Sequence, residues 1–221
     1  MNGGIDPVFY ALVCGATLWL TLLWAGTRWR VARRHRTVQA ACAAATLLLL
    51  FVPFGGMPLW NWAFSFCPNP SLPMLGMVCA ALWSRLGGVA VFKPADWRLL
   101  IGFGAIAGTV LYLHPFARSG FDLYYWGWHH DVAVWSMAAL ALTALAFGNR
   151  AGVLFLAGLI AYELQALESH NGWDYLVDPI FWLICLGLTA VHGIRRLFAG
   201  RALRRASRSP FAAASAMERV R

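Results

Sequence analysis

The chain has 221 residues, 60% of them hydrophobic and 12% charged, with a formal net charge of +9. Soluble domains carry about 25% charged residues, so this composition, with a mean hydropathy of +0.61 and apolar runs recurring from Val8 to Phe198, argues against a water-soluble fold. An all-α polytopic membrane protein is expected instead. The positive charge sits in arginine clusters between the apolar runs, a pattern that fits anionic lipid headgroups and no nucleic acid.

Seven transmembrane helices are predicted. The first covers about Val8 to Thr27, and Asp6-Pro7 before it reads as an N-cap followed by proline at the first helical position. It lacks a basic leader and ends in arginines instead of a small-residue cleavage site, so it reads as a retained helix and no signal peptide. The second runs from Thr37 to about Phe54. The next stretch, FVPFGGMPLWNWAFSFCPNPSLP over residues 51–73, holds two glycines and five prolines. It predicts an outer loop with a short re-entrant piece, with Trp60 and Trp62 at headgroup depth. The third span covers about Leu72 to Phe92 and includes Arg85. The fourth covers about Leu99 to His114, just after Lys93-Pro94-Ala95-Asp96, and its Gly104-xxx-Gly108 spacing suits close helix packing. The fifth covers His130 to Gly148, the sixth Ala151 to Glu168 and the seventh Pro179 to Phe198, the last opened by Asp178. Spans of roughly 16–21 residues measure about 24–31 Å, close to one hydrocarbon thickness.

The basic residues orient these spans. Arg28, Arg30, Arg33, Arg34, Arg36, Arg85, Lys93, Arg98, Arg150 and the arginines from Arg195 onward make 17 of the 18 and share one side; only Arg118 falls on the other. The positive-inside rule then puts the N-terminus outside and the C-terminus in the cytoplasm. Residues 1–200 form one seven-helix domain in a bacterial cytoplasmic (inner) membrane, and 201–221 form a flexible basic tail that contacts anionic headgroups. Four of the five cysteines lie in apolar runs, so no disulfide framework is expected.

The outer side gathers the candidate chemistry. His114 begins the loop HPFARSGFDLYYWGWHHD, residues 114–131, which supplies Arg118, Trp126, Trp128, His129 and His130. Glu163, Glu168 and His170 follow at the end of the sixth span, then Trp173 and Asp174 in the segment LESHNGWDYLVDP, residues 167–179. A carboxylate at the depth of Glu163 costs several kcal/mol unless it is neutral, paired or wet. It therefore either ties the bundle together or serves chemistry. On a continuing helix Glu163 and His170 share one face, and Glu168 points away from it. Within the loop segment, Leu167 to His170 finish the sixth span and Asn171 to Tyr175 form the outward turn.

Glu163, His170, His130 and Asp174 are the catalytic candidates, as acids, bases or their orienting partners. Arg118, His114, His129, Glu168, Trp126, Trp128 and Trp173 are the substrate-binding candidates. Arg118 can fork onto a phosphate, or pair with Asp122 or Glu168. The aromatic run Tyr124 to Trp128 reads as an interfacial belt or as a platform for a sugar or isoprenoid chain. No metal is expected: adjacent His129 and His130 point about 100° apart on a helix, and no HExxH spacing or thiolate cluster occurs. No cofactor is assigned.

No phosphate loop, dinucleotide fingerprint or GxSxG elbow is present. The leading expectation is a small membrane enzyme acting on a lipid or lipid-linked anionic substrate at the extracytoplasmic face. An accessory or assembly subunit with a membrane-protein partner is the second reading. A small-solute or proton-coupled transporter is the third; polar groups concentrated at one face, with no route across, weigh against it.

Overall fold

The computed structural model describes residues 14–19, 36–66, 68–113 and 122–207, and these are mostly helical. Of the first predicted span only 14–19 falls within them, as the helical stretch α1. In chain order follow α2 (Arg36–Phe51), a two-stranded hairpin of β1 (Pro53–Phe54) and β2 (Met57–Pro58), α3 (Leu59–Phe66), α4 (Leu72–Gly87), α5 (Pro94–Leu113), α6 (Leu123–Trp126), α7 (His130–Ala146), α8 (Ala151–Glu163) and α9 (Pro179–Ser207). A single 3-10 turn, Gly172–Tyr175, separates α8 from α9.

The α5 helix and residues Pro179–Ala199 of α9 are long and apolar enough to cross a membrane, at 20 and 21 residues. The apolar helices α2, α4, α7 and α8 are shorter, from 13 to 17 residues. Large apolar side chains point outward around the bundle, among them Leu48, Ile106, Trp135 and Phe147. Soluble monomers seldom expose apolar surface on this scale.

Local chemistry explains where the helices depart from their expected limits. The α2 helix stops at Phe51 because Pro53 opens the hairpin, whose turn Gly55-Gly56 has both φ angles positive, at 58° and 87°. Trp62 from α3 closes over this turn, its indole N–H donating to the Phe54 carbonyl at 2.7 Å. The α4 helix ends at Gly87, short of Phe92, with Gly88 left-handed at its C-cap. The α5 helix starts at Pro94, earlier than Leu99, because the Asp96 carboxylate reaches back to the Lys93 N–H at 2.7 Å. The α9 helix continues past Phe198 to Ser207, so the first part of the expected tail is helical. Residues 208–221 lie outside the described residues.

The closest packing joins α5 to α9 and α7 to α8. A Cβ on Gly104 would lie 2.6 Å from Cys185 Sγ, and one on Gly108 would lie 2.5 Å from the Trp182 ring. The expected Gly-xxx-Gly contact is therefore real, and α9 is what it admits. Met137, Phe155, Tyr175, Leu176 and Phe181 fill the shared core and are fully buried.

The end of the bundle where α5 and α8 begin is held by one buried carboxylate. Asp96 is 1% exposed. Besides Lys93 it accepts the Arg150 N–H at 3.0 Å, and the Arg150 guanidinium donates to the Val91 carbonyl at 2.6 Å. This clasp joins the α4–α5 connection to the α7–α8 turn.

Candidate functional site

The end of α8 decides the geometry around the candidate residues. Glu163 is its last residue, and Gln165 takes a left-handed φ of 50°. The Gln165 N–H bonds to the Tyr162 carbonyl (3.0 Å) and the Ala166 N–H to the Ala161 carbonyl (2.9 Å). That is a Schellman stop with glutamine in the place glycine usually takes. The sixth helix therefore does not reach Glu168, and Glu163 and His170 do not share a helix face. His170 lies on the exposed loop beyond. Leu167 is buried in that loop, its N–H held by the Tyr175 hydroxyl at 3.2 Å.

The polar segment after it folds into a buried knot. Asn171 is fully buried. Its side-chain carbonyl accepts the Trp173 N–H (2.9 Å), and its amide donates to the Tyr124 carbonyl (3.0 Å). The Gly172 N–H donates to the Gly127 carbonyl at 2.9 Å, and the Trp173 indole N–H to the Leu123 carbonyl at 3.0 Å. A Cβ on Gly127 would overlap Asn171 Oδ1 and Trp173 Cδ1, so only glycine lets α6 lie against this turn. The Tyr175 hydroxyl completes the knot by donating to the Ser169 carbonyl at 3.1 Å.

Asp174 belongs to the knot. Its carboxylate accepts the Tyr124 phenol at 3.1 and 3.2 Å and the Ser169 hydroxyl at 2.5 Å. Burial pushes its pKa up, while the Ser169 and Tyr124 hydroxyls pull it back. The Tyr124 phenol is pushed up in turn, first by burial and then by the neighbouring carboxylate. Asp178 plays the structural part expected of it: one oxygen caps α9 through the Phe181 N–H at 2.8 Å. Its other oxygen accepts the Ser71 N–H, also at 2.8 Å, and so ties the start of α4 to the start of α9. Burial raises its pKa too, against the hydrogen bonds it accepts.

Two of the catalytic candidates do meet. The α7–α8 packing brings the first residue of α7 beside the last of α8, placing His130 Nε2 3.1 Å from Glu163 Oε1. The His130 ring stacks on Tyr162 with centroids 5.8 Å apart, and Tyr162 meets the buried Tyr175 edge-on at 5.3 Å. Both partners are solvent-accessible, at 62% and 47% of their side chains. His130 Nδ1 lies 3.7 Å from Asp131, beyond hydrogen-bond reach. With Nε2 engaged by a carboxylate, Nδ1 is the nitrogen that can take up or release a proton.

The remaining candidates surround this pair without joining it. His129 takes the N-cap position of α7 without a side-chain cap bond, and its ring meets Tyr125 edge-on at 5.0 Å. Asp131 sits in the first turn and is not the cap. Trp126 and Trp128 are exposed on the rim. Glu168 is exposed, and its backbone N–H is held by Asn69 at 3.1 Å. His114 and Arg118 lie outside the described residues. Among the described residues no three His, Cys, Asp or Glu side chains gather in a way that could hold a metal.

Sequence reading missed Asn171, Ser169, Tyr124, Gly127 and Ser71 as the residues that build this end of the molecule. Asn171-Gly172 is a turn signal in its own right, and its partners come from a helix far away in the chain. Compared with known proteins, the chain matches no protein-family model, no curated protein and no solved structure at a significant level.

Proposed function

We propose that the chain is a polytopic inner-membrane enzyme of a bacterium that acts on a lipid or lipid-linked anionic substrate at the extracytoplasmic face. Its seven spans run from an outer N-terminus to a cytoplasmic tail, an orientation supported by the 17 basic residues sharing one side. His130 is the proton-transfer group, and Glu163 orients its ring. The observation that carries the reading is the 3.1 Å His130–Glu163 contact. It joins two catalytic candidates that remain open to solvent, while Asp174 is committed to the Tyr124 and Ser169 hydroxyls and Asp178 to backbone N–H groups. Arg118 is assigned to the anionic group of the substrate.

A second reading, an accessory subunit docking a membrane partner, draws on the exposed aromatic rim of Tyr125, Trp126 and Trp128 beside the pair. One experiment separates the two. The purified chain in vesicles made from total bacterial lipid extract should alter one lipid class, followed by mass spectrometry. Glu163→Gln and His130→Asn should abolish that change while thermal unfolding stays as in the unmodified protein. Absence of any altered lipid with the unmodified chain refutes the enzyme; a stoichiometric partner released by changing Trp126 and Trp128 establishes the subunit.

A further inference from the structure

An open groove lies away from the His130–Glu163 pair, along α5. It encloses about 480 Å³ and is lined by Gly102, Phe103, Ile106 and Val110, with Arg98 at one end and Leu123 of α6 at the other. Its walls are apolar, and Ile106 is 70% exposed beside it. The space over Gly102 is open, since a Cβ there would meet no atom within 4 Å. The volume falls within the range of about 300–1,000 Å³ typical of small-molecule sites.

The two ends differ in chemistry. Arg98 is exposed, and its Nε donates to the Pro94 carbonyl at 3.3 Å, which steadies the guanidinium against the first turn of α5. The nearest acid on that helix, Asp96, is buried and committed to Lys93 and Arg150. From Arg98 to Val110 the helix rises about 18 Å, slightly more than the ~15 Å that one leaflet contributes to the hydrocarbon core. A cation at headgroup level above an apolar channel one leaflet long matches an amphiphile with an anionic head and a linear tail.

We propose that this groove is a binding site for an anionic glycerophospholipid of the arginine-side leaflet, with its phosphate on Arg98 and one acyl chain lying over Gly102 toward Val110. The fork of N–H donors on Arg98 suits phosphate oxygens. The site is independent of the outer-face chemistry and survives if that reading fails.

Photocrosslinking with the full chain in phosphatidylcholine vesicles tests this. A trace of phosphatidylglycerol with a diazirine in its acyl chain should label the peptide containing Ile106 and Val110. Its yield should exceed that of the matching phosphatidylcholine probe by about fivefold, the share one basic residue contributes near an anionic lipid. Arg98→Gln should bring the two probes level, whereas Arg85→Gln, on α4, should leave the preference intact. Gly102→Leu should abolish the α5 label with either probe; if that variant does not fold, Ile106→Trp fills the same channel from its rim. Even labelling across all helices, or a phosphatidylglycerol preference that survives Arg98→Gln, overturns the proposal. So does a change of oligomeric state on filling the channel, which would assign it to a second copy of the chain.

Discussion

Asp174 and Glu163 both belong to the same end of the molecule, and their surroundings are opposite. Asp174 accepts bonds from two hydroxyls inside a buried knot, whereas Glu163 meets one imidazole at a solvent-open helix end. Backbone that leaves a helix near lipid must find internal partners for its N–H and C=O groups. The dense polar word LESHNGWDYLVDP is largely spent on that task, through Ser169, Asn171 and Asp178, with Asp174 holding the Ser169 hydroxyl in place. The residues free for proton chemistry are those just outside it. In this protein, polar density marks construction, and an accessible pair marks candidate reactivity.

The sharpest test of that contrast is Asp178→Ala, which strips acceptors from two buried N–H groups, of Ser71 and Phe181. It should lower stability by about 3 kcal/mol, read by thermal unfolding in detergent. A loss below about 1 kcal/mol would mean that water replaces the carboxylate, and Asp178 would not be what holds the start of α4 to the start of α9.

Asp174 offers a pH test. Burial raises its folded pKa above the unfolded value, so protonation favours the fold. Its contribution is fully present below the ordinary carboxylate range and is lost as pH rises through the raised value. The unfolding temperature should therefore fall across that window, and Asp174→Asn should flatten the profile. A wild-type profile already flat there would show that the Ser169 and Tyr124 hydroxyls cancel the cost of burial.

A smaller effect of opposite sign is expected at the end of α8. Gln165→Gly removes the left-handed strain at φ 50° and should stabilise by about 1 kcal/mol. Destabilisation would show that the Gln165 side chain, which donates to the Tyr162 carbonyl at 2.9 Å, outweighs the strain. The least change belongs to the exposed pair: Glu163→Gln should alter stability by less than about 0.5 kcal/mol. A large loss there would place Glu163 with the knot and remove the basis for its chemical role.

Two helix C-termini at opposite ends of the bundle show why part of the site was legible and part was not. The α7 helix stops in a Schellman motif with Gly148 at φ 66°, and the sequence marks that end plainly. The α8 helix stops in the same motif on Gln165, a good helix former that carries no stop signal. Reading the helix onward to Glu168 followed, and with it the false pairing of Glu163 with His170. The correct partner, His130, was a candidate by type, but its position depends on how α7 packs against α8.

Composition, the recurrence of apolar runs and the arginine asymmetry are properties of the chain alone, because partition into lipid depends on residue chemistry before any contact forms. Helix starts at Lys93-Pro94-Ala95-Asp96 and Asp178-Pro179 are equally local, since a cap needs only its own first turn. Tertiary structure alone decided which polar groups were consumed. Asn171 meets Tyr124, Asp178 meets Ser71 and His130 meets Glu163 across stretches of chain whose separation no local pattern encodes. A polar side chain becomes a clamp or a reactive group according to whether packing excludes water from it, and packing is settled only when the helices meet.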